Sequence, residues 1–144
     1  MRNRSIRVLT ISVVLLLVFF SSCKKDDKEY VPNVYVNFQI DPNSTMYLGL
    51  NQVGGWSYLT GGVAGVVVYR ESQEVFKAYD RACPYDFDVE GSLVEMEPSG
   101  LTLIDSLCGS RYIITDGSVL AGPTSRGLKA YRTSYDGRLL FVYN

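Results

Sequence analysis

An all-β fold, an antiparallel sandwich or small barrel built of hairpins, is what residues 34–144 of this sequence predict. Three observations carry that expectation. Apolar residues alternate with polar ones over short runs, the two-residue period of a half-buried strand. Asp116-Gly117 and Asp136-Gly137 each stand between apolar runs, and Asp-Gly accepts the positive φ that a two-residue hairpin turn needs. About nine such runs fit into roughly 110 residues, the strand density of an all-β domain.

Taken in order, the first strand covers residues 34–40, with Val34, Val36, Phe38 and Ile40 on one face and Tyr35, Asn37 and Gln39 on the other. Residues 44–50 form the one weak helical candidate, with Ser44 as its cap. Gly54, Gly55, Gly61, Gly62 and Gly65 then crowd a short region. They match neither the dinucleotide-binding nor the P-loop spacing, so they read as bends and close approaches at sheet corners. Trp56 and Tyr58 lie among them, either covering the end of the barrel or forming an exposed aromatic ledge for a sugar or peptide. Residues 66–70 and 74–80 pair around a short polar turn. Residues 93–97 and 101–105 flank Pro98, Ser99 and Gly100, a three-residue hairpin signal. Glu95 and Glu97 share a strand face turned to water, and residues 139–143 make the last strand.

Composition excludes more than it suggests. The chain has 144 residues, 47% of them hydrophobic and 20% charged, which fits one globular domain. With 14 basic residues against 15 acidic ones, nothing points to a nucleic-acid partner. There is no histidine. That removes the usual general base, the commonest zinc ligand and every Ser-His or Cys-His nucleophile pair, so no enzyme is expected.

The first 22 residues read as a targeting segment. Arg2, Arg4 and Arg7 supply a basic start, and a 13-residue apolar run from Val8 to Phe20 is broken only by Thr10 and Ser12. This run is shorter than the roughly 20 residues of a spanning helix and stops at Ser21, Ser22 and Cys23. The ending resembles a bacterial lipobox, with Phe20 in place of the usual leucine. The resemblance implies cleavage before Cys23, which becomes the acylated anchor on a membrane. Residues 24–29 are all charged, and Lys25, Asp26 and Asp27 resemble the export signal that carries some Gram-negative lipoproteins to the outer face of the outer membrane. Three of the 14 basic residues and none of the 15 acidic ones lie in the leader, which leaves a mature chain of 11 against 15. The expected organisation is therefore a signal peptide at 1–22, a lipidated cysteine and charged tether at 23–33, and a β domain at 34–144.

Cys83-Pro84-Tyr85 and Cys108-Gly109-Ser110-Arg111 lie on two loops that leave hairpins. With Tyr112, Asp116-Gly117, Gly122-Pro123, Leu128 and Tyr131 behind them, they resemble a Rieske iron-sulfur domain, whose pattern is Cys-x-His on one loop and Cys-x-x-His on the other. The resemblance is strong over 78–144 and looser back to 34. It implies the all-β fold above and a [2Fe-2S] cluster held by both loops. At the two histidine positions, however, stand Tyr85 and Arg111. Arginine only donates hydrogen bonds, and tyrosine is a poor ligand at neutral pH, so half of the cluster site is missing.

In the family the two sulfurs grip one iron, so the resemblance implies that Cys83 and Cys108 lie close, and an oxidising envelope then favours a disulfide between them. Two free thiols and a surviving metal centre stay open beside it. Zinc is disfavoured, because a structural site takes four Cys or His ligands and the domain has two, so no cofactor is expected. Arg111 reads either as stacking on Tyr85 or pairing with Asp86 or Asp88, closing the loops, or as a solvated loop residue uncoupled from Tyr85. Asp86 and Asp88 alone are no calcium loop. The expected function is a membrane-anchored envelope lipoprotein with a degenerate Rieske-like domain in a structural or interaction role, with an envelope protein or glycan as partner. The alternatives are electron transfer through an atypical [2Fe-2S] cluster, and a glycan- or peptide-binding module using Trp56 and Tyr58.

Overall fold

The structure, a computed structural model, describes residues 30–144. The leader, Cys23 and the charged run through Glu29 lie outside the described residues. Among the described residues no helix is long and apolar enough to cross a membrane.

Ten strands form two antiparallel sheets. In chain order they are β1 (Asn37–Ile40), β2 (Trp56–Leu59), β3 (Val66–Arg70), β4 (Phe76–Asp80), β5 (Val94–Met96), β6 (Thr102–Asp105), β7 (Arg111–Ile113), β8 (Val119–Ala121), β9 (Ala130–Tyr135) and β10 (Leu140–Tyr143). The larger sheet runs β1-β10-β9-β4-β3-β2 and curls into a half-barrel, and the smaller runs β5-β6-β7-β8. The smaller sheet is thus an insertion between β4 and β9, which pair directly through Ala78 and Tyr131. The first and last strands also pair, Asn37 opposite Tyr143, so the half-barrel that carries the insertion joins both ends of the β domain.

Continuous apolar sequence explains the central strand. Val66, Val67, Val68 and Tyr69 are all buried, because β3 is covered on both faces. Val66 and Val68 enter a core inside the half-barrel with Val36, Ile40, Leu50, Phe76, Leu140 and Val142. Val67 and Tyr69 face the opposite way, into a second core under the small sheet with Tyr79, Cys83, Val94, Leu103, Tyr112 and Ile114. Each fully buried valine contributes about 1.5–3 kcal/mol, and β3 delivers that to both cores at once.

Several elements differ from the sequence expectation. The first strand pairs only from Asn37, yet Val36 is buried and bound at both ends by Asn144, whose Oδ1 accepts the Val36 N–H at 3.0 Å and whose own N–H donates to the Val36 carbonyl at 3.2 Å. The helical candidate is a 3₁₀ helix, Thr45–Leu50, kinked at Tyr47, and the Ser44 side chain makes no cap bond. A strand, β2, forms inside the glycine-rich stretch, in register with β3 from Trp56 opposite Tyr69 to Leu59 opposite Val66. The glycines supply the bends around it. Gly62 has φ +65°, and a Cβ there would collide with the Asp80 carboxylate.

Candidate functional site

Both cysteine loops start from the end of a strand, and at each end stands a buried aspartate. β4 ends at Asp80, whose Oδ1 accepts the Ala82 N–H at 2.9 Å and turns the chain toward Cys83. The Asp86 N–H then donates to the Cys83 carbonyl at 3.3 Å, folding Asp86 back beside Cys83. β6 ends at Asp105. Its Oδ1 accepts the N–H groups of Leu107 at 2.7 Å and Cys108 at 3.4 Å, and its carbonyl accepts the Gly109 N–H at 2.8 Å. Gly109, at φ +76°, lets the chain leave this tight loop into β7.

The two loops bring four side chains together. One ligand atom from each of Cys83, Asp86, Asp105 and Cys108 lies within 4.8 Å of all the others. Cys83 and Asp105 are fully buried, while Asp86 and Cys108 are half-buried and open the group to the surface. The sulfurs are 3.5 Å apart. A disulfide needs about 2.05 Å, so the expected Cys83–Cys108 bond is not formed and both residues are free thiols in contact. Each sulfur has other partners instead. Cys83 Sγ meets the Tyr112 hydroxyl at 3.2 Å and accepts the Tyr85 N–H, and Cys108 Sγ donates to Ser110 Oγ at 3.0 Å and accepts the Ser110 N–H at 3.4 Å. Burial pushes the Cys83 thiol up to about 12, with Asp86 and Cys108 adding to the rise and Tyr112 and the Tyr85 N–H opposing it. Burial also raises Tyr112, and its contact with Cys83 adds to that.

The carboxylates share one hydroxyl donor. Ser92 Oγ lies 2.7 Å from Asp86 Oδ1 and 2.9 Å from Asp105 Oδ2. One hydroxyl carries one proton, so it serves one of these oxygens and leaves the other facing it. None of the ion pairs among the described residues involves Asp86 or Asp105, since Arg81 pairs with Glu95, Arg111 with Glu97 and Lys77 with Glu71. A buried carboxylate without a cation or a full set of donors is costly.

The structure separates the residues singled out in the sequence. Cys83 and Cys108 meet. Tyr85 and Arg111, at the histidine positions of the resemblance, join neither sulfur with a side chain. Tyr85 is 46% exposed, and Arg111 lies on the surface with its Nε 3.3 Å from Glu97 Oε1 rather than stacked on Tyr85. Asp88 lies outside the four-residue group. Glu97, expected to face water alone, also accepts the Thr102 hydroxyl at 2.6 Å, and these contacts hold its carboxyl below the usual range. Trp56 and Tyr58 are not an exposed ledge. Both are half-buried against the second core, Tyr58 accepts the Arg81 guanidinium on its ring at 3.8 Å, and its hydroxyl accepts the Met96 N–H at 2.6 Å. The sequence reading missed Asp105 and weighed Asp86 only as a calcium or arginine partner. The signal that identifies both is their spacing, Cys83-x-x-Asp86 and Asp105-x-x-Cys108.

Two sulfurs and two carboxylate oxygens converging from paired loops are a ligand set for a cation. No family model matches the chain, and no curated protein matches it.

Proposed function

We propose that this chain is an envelope-anchored, non-enzymatic lipoprotein module, a Rieske-like β domain with a degenerate cluster site and a structural or interaction role. The observation that carries the reading is the fate of the two cysteine loops. They meet as the resemblance implies, sulfur to sulfur at 3.5 Å, but Tyr85 and Arg111 turn away and the chain has no imidazole to replace them. A standard [2Fe-2S] centre with two imidazoles on one iron is not assembled from these groups. Further support comes from the insertion of the four-stranded sheet between β4 and β9, which brings the Cys83 loop and the Cys108 loop together.

The anchoring part of the proposal rests on the sequence, where a basic start, a short apolar run and small residues precede Cys23. Its test is metabolic labelling with a fatty acid, followed by fractionation and protease shaving of intact cells. Label lost in Cys23→Ser, and native protein removed by external protease, are the expected results. Label retained in the variant overturns the anchor, and protection from protease overturns surface display. Absence of acid-labile sulfide from anaerobically purified protein is the expected result for the degenerate site, and stoichiometric iron and sulfide overturn it.

A further inference from the structure

We propose that Cys83, Asp86, Asp105 and Cys108 form a mononuclear zinc(II) site in which one ion, held by two thiolates and two carboxylates, staples the two cysteine loops together. This rests on the reading of these loops as a degenerate cluster site, and it names what the loops hold instead. Counting only Cys and His as ligands leaves this pair two short of a zinc site. Counting Asp oxygens, which bind zinc at about 2.0–2.2 Å, completes it.

Spacing and convergence are the first argument. Each loop offers two ligands three residues apart, Cys83 with Asp86 and Asp105 with Cys108, and the four atoms come from two loops 20 residues or so apart in sequence into one 4.8 Å group. Tetrahedral zinc with Zn–S near 2.3 Å sets its sulfurs about 3.8 Å apart. The observed 3.5 Å is already close to that.

Charge is the second. Asp105 is fully buried and has no ion pair among the described residues, and while its Oδ1 accepts the Leu107 and Cys108 N–H groups, its Oδ2 has the Ser92 hydroxyl, which it shares with Asp86. The cluster holds two carboxylates without a cation among its described partners, and a divalent ion at its centre balances them.

The surrounding shell is the third. Cys83 Sγ and Cys108 Sγ each accept an N–H from the residue two further on, and Asp105 Oδ1 accepts from residues two and three further on. The Tyr112 hydroxyl and the Ser110 and Ser92 hydroxyls complete contacts that orient ligands toward a common point.

Ligand chemistry selects the ion. Calcium and magnesium take six or more oxygens, and thiolates do not suit them. Mixed sulfur and oxygen donors in a four-ligand group suit zinc. On binding, each thiol gives its proton to solvent as its sulfur bonds zinc, and nothing is oxidised or reduced. The half-buried Asp86 and Cys108 provide the way in.

The test uses the full chain in detergent, purified anaerobically with reductant, stripped with chelator and titrated with zinc alone. One zinc per chain is expected, with Cys83 and Cys108 protected from alkylation, as read by peptide mapping, and with thiolate-to-cobalt absorption when cobalt(II) replaces zinc. Asp86→Asn, at a half-buried position, is expected to weaken zinc by about 100-fold while the chelated variant melts like the chelated parent. Surface Glu95→Gln keeps the parent affinity. Zinc binding below one-tenth per chain, unchanged affinity in Asp86→Asn, or unprotected thiols in zinc would each overturn the site. Two irons and sulfide per chain would overturn both this site and the degenerate-cluster reading. A chain with neither iron nor zinc would overturn this site alone.

Discussion

Two buried aspartates hold the same place in two hairpins and have opposite needs. Asp80 ends β4 and Asp105 ends β6, both are fully buried, and each carboxylate accepts backbone N–H groups of the loop that follows. Asp80 is satisfied by the protein. Its oxygens accept the N–H groups of Val63 at 2.7 Å, Ala64 at 3.1 Å and Ala82 at 2.9 Å, and the Tyr131 hydroxyl at 2.6 Å. Lys129 adds a positive charge nearby, and the Tyr131 hydroxyl is raised by burial and by this carboxylate. Asp105 accepts from its own loop and from one shared hydroxyl, and beyond that it faces Asp86 and two sulfurs. A buried charge is stable where donors or a counter-charge match it, so the first site is finished by folding and the second by a bound cation.

The largest effect should come from breaking the finished site. Asp80→Ala leaves the N–H groups of Val63, Ala64 and Ala82 and the Tyr131 hydroxyl without their acceptor, which should cost about 3–5 kcal/mol. Urea denaturation would measure it, and the loss should be the same with zinc and with chelator. Asp105→Asn tests the other side. It removes charge from an unpaired cluster at nearly constant shape, so the chelated variant should be at least as stable as the chelated parent, while zinc affinity falls by about 100-fold or more. An Asp105→Asn variant that unfolds like Asp80→Ala in chelator would erase the contrast. Tyr112→Phe removes the hydroxyl contact to Cys83 Sγ, with an expected loss of about 10-fold in zinc affinity and about 1 kcal/mol in the chelated fold.

The smallest effect sharpens the comparison at the surface. Asp136 caps its Asp-Gly hairpin by accepting the N–H groups of Leu139 at 2.7 Å and Arg138 at 2.8 Å, which hold its carboxyl below the usual value. A lowered folded pKa gives stability that is present above the unfolded value near 3.9 and is lost as pH falls through the folded one. Asp136→Asn should therefore lower neutral stability slightly and flatten the acid limb, so that parent and variant converge below about pH 4, as followed by circular dichroism on urea titrations at each pH.

Much of the frame was legible because its signals are local. The Val66–Arg70 run announces a strand, and Asp116-Gly117 and Asp136-Gly137 announce turns, which the chain makes between β7 and β8 and between β9 and β10 as longer loops than the two-residue hairpin expected. The site was legible only in its cysteines. Tyr85 and Arg111 were singled out by position in a motif, but backbone geometry turns them away. The Tyr85 N–H points at Cys83 Sγ, which sends its side chain outward, and strand alternation in β7 buries Tyr112 and exposes Arg111. Asp80 and Asp105 could not be told apart in sequence, because what distinguishes them is distant in the chain: Tyr131 is 51 residues from Asp80, and Ser92 is 13 from Asp105.

X-ray absorption at the zinc edge on the full chain, reduced and loaded with one equivalent of zinc, tests the central claim most directly. Two sulfurs near 2.3 Å and two oxygens near 2.0 Å around a single ion, with one sulfur or oxygen lost in each ligand variant, is the result this account predicts. A shell of oxygens alone, unchanged in Cys83→Ser and Asp105→Asn, would contradict it.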